Sequence, residues 1–137
     1  EYVNAYGILA PDLRAKVENS IGTTPEQLVA AYTVADSCRP VFDGLFGPSL
    51  DVVLTPSSPG EAPVGLHTTG NAIFNRMWTL LHVPCVGIPA CFGPSGLPVG
   101  VTLVGKRYAD ARLLAIAKAV APVIDTGAAE RERRLFG

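Results

Sequence analysis

The chain has 137 residues, of which 48% are hydrophobic and 17% charged, and its formal net charge at pH 7 is −1. This composition predicts one compact globular domain rather than a disordered tail. The near-zero charge supplies no long-range field that attracts phosphate backbones or anionic lipid, so nucleic acid is not an expected partner. No stretch has the roughly 18 consecutive apolar residues of a membrane-spanning helix, and no membrane association is predicted.

The ends of the chain and its cysteines indicate the setting in which it works. The chain begins at Glu1 and its one methionine is Met77, so we expect that a segment precedes it or was removed. The cysteines are odd in number and lack C-x-x-C spacing, which argues against a disulfide framework or a zinc knuckle. They are Cys38, Cys85 and Cys91. A cytoplasmic protein is the simplest prediction, with the mixed charges at residues 130–134 on a solvated terminus.

A capping box begins the first long helix. The side chains of Thr24 and Gln27 can each accept the other residue's backbone N–H, and Pro25 suits the first helical position. Apolar side chains then recur every three or four residues and form one apolar face. They are Leu28, Ala31, Tyr32, Ala35, Cys38, Phe42, Leu45 and Phe46. Because Pro40 lacks an amide hydrogen and clashes with the preceding turn, we expect it to kink or divide the helix.

A strand, a loop and a second helix are predicted next. The β-branched run DVVLT at residues 51–55 is typical of a buried strand. Residues 57–69 are interrupted by prolines and glycines and predict an irregular loop, a kind of segment that often carries binding surfaces. Apolar residues at helical spacing then predict a helix over residues 71–81.

Two more strands and a last helix complete the predicted order. Residues 85–92 and 97–104 are apolar and β-prone, and a tight Gly-Pro-Ser-Gly turn joins them. Both are apolar on both faces, as in strands that helices cover on each side of a sheet. The last helix is predicted to begin near Asp110, its expected N-cap, and to bury apolar residues as far as Ile124. Three such strands would leave an apolar edge exposed, so we expect further strands outside this sequence.

An ordered series of short segments carries a family resemblance. The segments are DVVLTP at 51–56, AP at 62–63, FNxxWTLL at 74–81, PCVGIP at 84–89, GLPVGVTLVG at 96–105 and YADARLL at 108–114. Together they resemble the C-terminal region of the amidase-signature family over roughly residues 10–124. The resemblance implies an α/β fold in which residues 1–137 form a single C-terminal portion, with a mixed β-sheet covered by helices. The N-terminal catalytic part is then expected to be absent.

The resemblance also implies hydrolysis of carboxamides to a carboxylic acid and ammonia, without a cofactor. In the family a lysine acts through a bridging serine on a nucleophilic serine, and backbone N–H groups stabilise the oxyanion. These groups belong upstream of the region that this chain resembles, so we expect no catalytic residue here and no activity of the chain alone. The family has glycine where this chain has His82, and we expect the helix-to-strand turn to differ there.

Other candidate sites in the chain have simpler structural interpretations. The pair Ser57-Ser58 lies between prolines after a strand and lacks the glycine-rich context of the family's nucleophile. Two carboxylates flank a glycine-containing connector and are expected to cap or solvate it rather than to act as a pair. They are Asp43 and Asp51. No metal site is predicted, because the potential ligands lack a fourth partner nearby. They are His67, His82 and Cys85.

Asn75 and Trp78 are the predicted substrate-binding residues. With the loop at 55–69 they can form one wall of an acyl pocket, since an amide beside an amphipathic aromatic ring suits a substrate with polar and apolar parts. Trp78 also lies on the apolar helical face, where a core role is the alternative. The pocket hypothesis predicts that Trp78→Ala in the complete enzyme changes substrate preference more than stability.

The expected partners are a small-molecule amide and the missing N-terminal part of the same fold, and homo-oligomerisation is left open. Two other functions remain as alternatives. One is a stand-alone binding or assembly module without activity, whose exposed sheet edge a partner would cover. The other is the A-type subunit of an amidotransferase that delivers ammonia to glutamate mischarged on transfer RNA. The near-neutral charge gives no support for a tRNA surface.

Overall fold

From the helix that begins at Pro25 onward, the helices and strands follow the predicted order. A computed structural model describes Asn4, residues 6–125 and Gly127, so the charged segment at 130–134 lies outside the described residues. After a 3-10 turn at Tyr6–Ile8, the helices are α1 (Pro11–Val17), α2 (Pro25–Asp43), α3 (Arg76–Leu81) and α4 (Asp110–Ile124). The strands are β1 (Val53–Pro56), β2 (Cys85–Phe92) and β3 (Pro98–Val104). Helix α1 was not predicted. The chain divides into two compact units, residues 1–35 and residues 36–137.

Helix α2 begins as predicted but ends differently. The Thr24 backbone N–H donates to Gln27 Oε1 at 2.9 Å, and the Gln27 N–H donates to Thr24 Oγ1 at 3.2 Å, which confirms the capping box. The expected division at Pro40 was wrong, because the helix continues through Pro40 to Asp43. The proline removes one helical hydrogen bond, from its own nitrogen to the Asp36 carbonyl oxygen, and the helix continues despite this loss. Leu45 and Phe46, assigned above to the helical face, follow the end of the helix.

Helix α3 is shorter than predicted, since it begins at Arg76 instead of residue 71. Asn71 Oδ1 accepts the backbone N–H of Ile73 at 3.0 Å, a local hydrogen bond that competes with helix formation. The helix ends at Leu81, and its C-cap His82 has the left-handed conformation with φ of 57° and ψ of 40°. This conformation favours glycine and explains the family's glycine at this position.

Helix α4 begins at Asp110, but its N-cap is Ala109 and no side chain caps it. The predicted capping role of Asp110 was therefore wrong. As the first helical residue, its carboxylate lies at the positive end of the helix dipole, which it stabilises without capping a backbone N–H.

The three described strands form one antiparallel sheet in the order β1-β3-β2. Val104 of β3 pairs with Val53 on one side and Cys85 on the other. The predicted turn joins β2 to β3, where the Gly96 N–H donates to the Gly93 carbonyl oxygen at 2.9 Å. The strands in this part of the chain are all antiparallel, so the mixed character expected of the complete sheet depends on strands outside it.

The central strand β3 is buried on both faces. Its neighbouring residues Leu103 and Val104, 2% and 0% exposed, point to opposite sides of the sheet. Leu103 belongs to a cluster with Ile88 of β2 and two residues of α4, Leu113 and Ala117. Val104 packs with two residues of α3, Trp78 and Leu81. The prediction of double-sided burial is confirmed for β3, whereas alternate residues of β2 stay exposed.

An ion pair between Asp43 and Arg107 joins the end of α2 to the segment after β3. The Arg107 backbone N–H donates to Asp43 Oδ1 at 3.3 Å, and its Nε donates to Oδ2 at 2.7 Å. The hydrogen bond from the Arg107 side chain is the main cause of the lowered pKa of Asp43. Asp51 forms a separate, exposed ion pair with Arg112. The two carboxylates therefore bind different arginines instead of acting as a pair, and Asp51 stays exposed to solvent as predicted, whereas Asp43 is held by Arg107.

We expect Asp43→Asn to lower the free energy of unfolding by about 1–2 kcal/mol at neutral pH, since it leaves Arg107 without its counter-charge. Because the pKa of Asp43 is lowered in the folded state, the wild type has this stabilisation above the unfolded-state pKa. The wild type loses this stabilisation as the pH falls through the folded-state pKa of Asp43. Urea unfolding from neutral pH to about pH 3 measures the difference, which should shrink toward acid. Asp51→Asn is the control, expected to cost less than about 1 kcal/mol. A loss independent of pH would contradict the assignment.

We expect His82→Gly to raise the free energy of unfolding by about 0.5–1 kcal/mol, because glycine adopts the left-handed conformation without steric cost. The substitution removes a contact of 3.3 Å between His82 Nε2 and Arg39 Nη2. Arg39 keeps its hydrogen bonds of 3.1 and 2.9 Å to the Leu80 carbonyl oxygen. Thermal unfolding measures the change, with Thr79→Gly inside α3 as a destabilising control. Equal destabilisation by both substitutions would show that the left-handed turn costs nothing.

Candidate functional site

An open groove lies beside the loop that follows β1. Its volume is about 730 Å³, and its lining comes from the loop, the turn before α3 and the start of β3. The polar side chains among the lining residues are those of Ser57, Ser58, Glu61, Thr69, Asn71 and Asn75. The loop predicted to form an acyl-pocket wall therefore lines a concave surface.

Hydrogen bonds to β3 and to Asn75 fix the start of this loop. The Ser57 N–H donates to the Gly100 carbonyl oxygen at 3.0 Å, and the Ser57 and Thr102 hydroxyl groups share a hydrogen bond of 2.7 Å. Asn75 Nδ2 donates to the Ser57 carbonyl oxygen at 2.8 Å. A Cβ at Gly100 would lie 3.0 Å from the carbonyl oxygen of Ile88, so the neighbouring backbone approaches this glycine closely.

Glu61 ties the middle of the loop to the β2–β3 turn. The Ser95 N–H lies 3.0 Å from both carboxylate oxygens, and the Leu97 N–H donates to Oε1 at 2.8 Å. Burial alone would raise the pKa of Glu61, but the hydrogen bonds from Leu97 and Ser95 outweigh it, and the pKa is lowered. Sequence reasoning missed Glu61. Its partners are 34 and 36 residues away, so no local pattern reveals them.

The structure separates the two predicted substrate-binding residues. Asn75 lines the groove, immediately before α3. Trp78 is 7% exposed, belongs to the cluster with Leu81 and Val104, and is not among the groove-lining residues. Its ring centroid lies 5.7 Å from that of Phe42, and its Nε1–H has no hydrogen-bond partner among the described residues. Substrate binding by Asn75 and Trp78 stays a prediction, and the packing of Trp78 adds a structural role.

The other candidate groups take part in local structure. The Ser58 hydroxyl donates to the Gly60 carbonyl oxygen at 2.6 Å, and Ser57 is bound to Thr102. Within the described ranges, no three His, Cys, Asp or Glu side chains lie close enough together to hold a metal ion. Cys38, Cys85 and Cys91 are free and exposed. None of the helices in the part of the chain that the structure describes is long and apolar enough to cross a bilayer.

Two solved structures show which fold this arrangement represents. The crystal structure of an amidase matches with a TM-score of 0.72 and 20% identity, over 90% of this chain and 31% of that chain. The A-type subunit of glutamyl-tRNA(Gln) amidotransferase from Thermotoga maritima matches with a TM-score of 0.58 and 23% identity, over 86% of this chain and 28% of that chain. At such identities the likeness shows the fold alone. The chain has an α/β fold of the amidase type.

The sequence comparisons then show the family. The sequence model described as Amidase matches residues 13–114, and the chain belongs to this amidase-signature family, which confirms the resemblance. Curated relatives include the A-type subunit of glutamyl-tRNA(Gln) amidotransferase from Neisseria meningitidis, 36% identical over 90 residues, or 61% of this chain and 18% of the relative. The corresponding protein from Mesorhizobium japonicum is 27% identical over 112 residues, or 74% of this chain and 21% of that protein. The mitochondrial A-type subunit from rat is 30% identical over 86 residues, or 56% of this chain and 16% of that protein. The chain therefore spans about a fifth of these relatives.

We expect Trp78→Ala to lower the free energy of unfolding by about 3–5 kcal/mol, because the indole fills the core between α3 and β3. Trp78→Phe keeps most of the apolar contact and removes an unpartnered N–H, so its cost should stay below about 1.5 kcal/mol. Chemical unfolding measures both, with the exposed Leu66→Ala as control. A loss from Trp78→Ala no larger than the control's would contradict the core role. In the complete enzyme, a changed preference between two amides in the Trp78→Phe variant would support the substrate role.

Proposed function

We propose that this chain is the C-terminal part of an amidase that hydrolyses carboxamides to carboxylic acid and ammonia. The family match over residues 13–114 carries the proposal. The lysine and serines that the family's chemistry requires are expected outside residues 1–137, so the contribution of this chain is to enclose the substrate. The groove beside the loop at 55–69 is then one wall of the acyl pocket.

The chemistry of the groove suits an uncharged amide. Its polar side chains are neutral hydroxyl and amide groups apart from Glu61, whose carboxylate already binds backbone N–H groups. Asn75 uses Nδ2 to hold Ser57, and its Oδ1 takes part in no hydrogen bond within the described structure. That oxygen is therefore available to accept an N–H of a carboxamide.

A cytoplasmic setting belongs to the same proposal. Its support is the three free, exposed cysteines, which a reducing compartment keeps in the thiol form.

The names of the relatives favour a second candidate, the A-type subunit of an amidotransferase. The matching proteins from rat, Mesorhizobium japonicum and Neisseria meningitidis are all named as A-type subunits of glutamyl-tRNA(Gln) amidotransferase. With this function the groove would belong to a protein that supplies ammonia to a partner. The net charge of −1 gives no support for a tRNA surface on this chain, so we rank a general amidase first.

Ammonia release by the complete protein tests the proposal. We expect release from primary carboxamides without mischarged tRNA. Asn75→Ala should raise KM about fivefold with little change in kcat, as loss of one neutral hydrogen bond predicts. Met77→Ala, a neighbouring change outside the groove lining, is the control and should leave KM unchanged.

Each other result selects a different function. Release that requires mischarged tRNA would favour the amidotransferase, and no turnover of any amide would favour a binding or assembly module. Turnover by residues 1–137 alone would contradict the expectation that the catalytic groups lie elsewhere. An equal effect of Asn75→Ala and Met77→Ala on KM would remove the groove from the substrate site.

A further inference from the structure

The groove loop is attached to the sheet at two places. At its start, Ser57 is bound to the strand β3 through Gly100 and Thr102, at 3.0 and 2.7 Å. At its middle, the Glu61 carboxylate accepts the N–H groups of Ser95 and Leu97. The three residues between these attachments, 58–60, line the groove. The second attachment therefore constrains groove-lining backbone that has no helix or strand of its own.

The β2–β3 turn fits the carboxylate closely at Gly93. A Cβ built there would lie 2.6 Å from Glu61 Oε1, well inside van der Waals contact. Gly93 is not among the glycines with a positive φ, so its backbone conformation does not require glycine. The nearest obstacle to a larger residue is the side chain of Glu61 itself. A methyl group at position 93 must therefore displace the carboxylate and need not distort the turn.

We propose that Glu61 and the β2–β3 turn form a carboxylate latch that holds the middle of the groove loop in place and thereby sets the shape of the groove. Its effect on substrate rests on the proposed amidase function, whereas the latch itself is a property of this fold. In these terms Glu61 is a positioning residue, since it acts on a ligand through the loop.

The strength of the latch comes from an ionised acceptor facing backbone donors. Hydrogen bonds from N–H groups to a carboxylate are roughly twice as strong as those between neutral groups, and successive N–H groups of a turn form an anion-binding concavity. No lysine, arginine or histidine is among the groove-lining residues, so no cation of the described lining competes for the carboxylate. The turn residues 93–97 carry no ionisable side chain either.

Hydrogen exchange of the Ser95 and Leu97 amides in the full chain tests the latch. We expect exchange to become about tenfold faster in Glu61→Ala, because the acceptor of both N–H groups is lost. Gly93→Ala should have the same effect by displacing the carboxylate. Glu61→Gln should give an intermediate increase, because its neutral oxygen is a weaker acceptor. The matched control is Gly87→Ala in β2, where nothing lies within 4 Å of an added Cβ, and it should leave both amides unchanged.

The latch is overturned if both amides exchange at the wild-type rate in Glu61→Ala and Gly93→Ala, or if Gly87→Ala accelerates them equally. The Leu103 amide in the core reports global unfolding. If Glu61→Ala also accelerates Leu103, the comparison is made with Glu61→Gln and Gly93→Ala.

Amide hydrolysis by the complete protein separates the latch from the proposed function. We expect Glu61→Ala to raise KM about fivefold with kcat within about twofold of wild type, since the loop shapes binding and holds no reacting group. Faster exchange with an unchanged KM would overturn the link between the latch and the substrate site. If the wild type hydrolyses no amide, the proposed function fails and exchange alone decides the latch.

Discussion

The burial of β3 on both faces is the constraint on which the second unit depends. Strand β3 lies between β1 and β2, so its backbone hydrogen bonds are satisfied on both edges, and its side chains must find apolar cover above and below. Helix α4 covers Leu103 on one face and helix α3 covers Val104 on the other. The groove depends on the same strand, because Gly100 and Thr102 anchor the loop that lines it.

Local chemistry predicted the helices and strands from α2 onward, but it misplaced some of their ends. The capping box, the three strands and the glycine-rich turn follow from neighbouring residues. The start of α3 was misjudged because apolar residues at helical spacing already begin at Ile73, whereas the Asn71 side chain holds a turn there. The predicted division at Pro40 overestimated the effect of the proline, because the helix tolerates the loss of one backbone hydrogen bond.

In the candidate site, too, some residues were predictable from the sequence and others were not. The resemblance to the family directed attention to the loop and to Asn75, and both line the groove. The sequence allowed two roles for Trp78, because an aromatic residue on an apolar helical face can line a substrate pocket or pack in the core. Its cluster with Leu81 and Val104 shows the core contact. Glu61 was not predictable, because a carboxylate in a loop looks like a solvated charge until its partners across the sheet are known.

The close fit between Glu61 and Gly93 has a consequence for how related sequences diverge. Position 93 must be glycine to leave room for the Glu61 carboxylate, whereas its backbone conformation would allow other residues. The residues at positions 61 and 93 therefore depend on each other. A lineage that loses the acid at 61 is free to accept a side chain at 93, whereas one that keeps it must keep the glycine. Covariation of these positions would then record a contact between two segments far apart in the sequence.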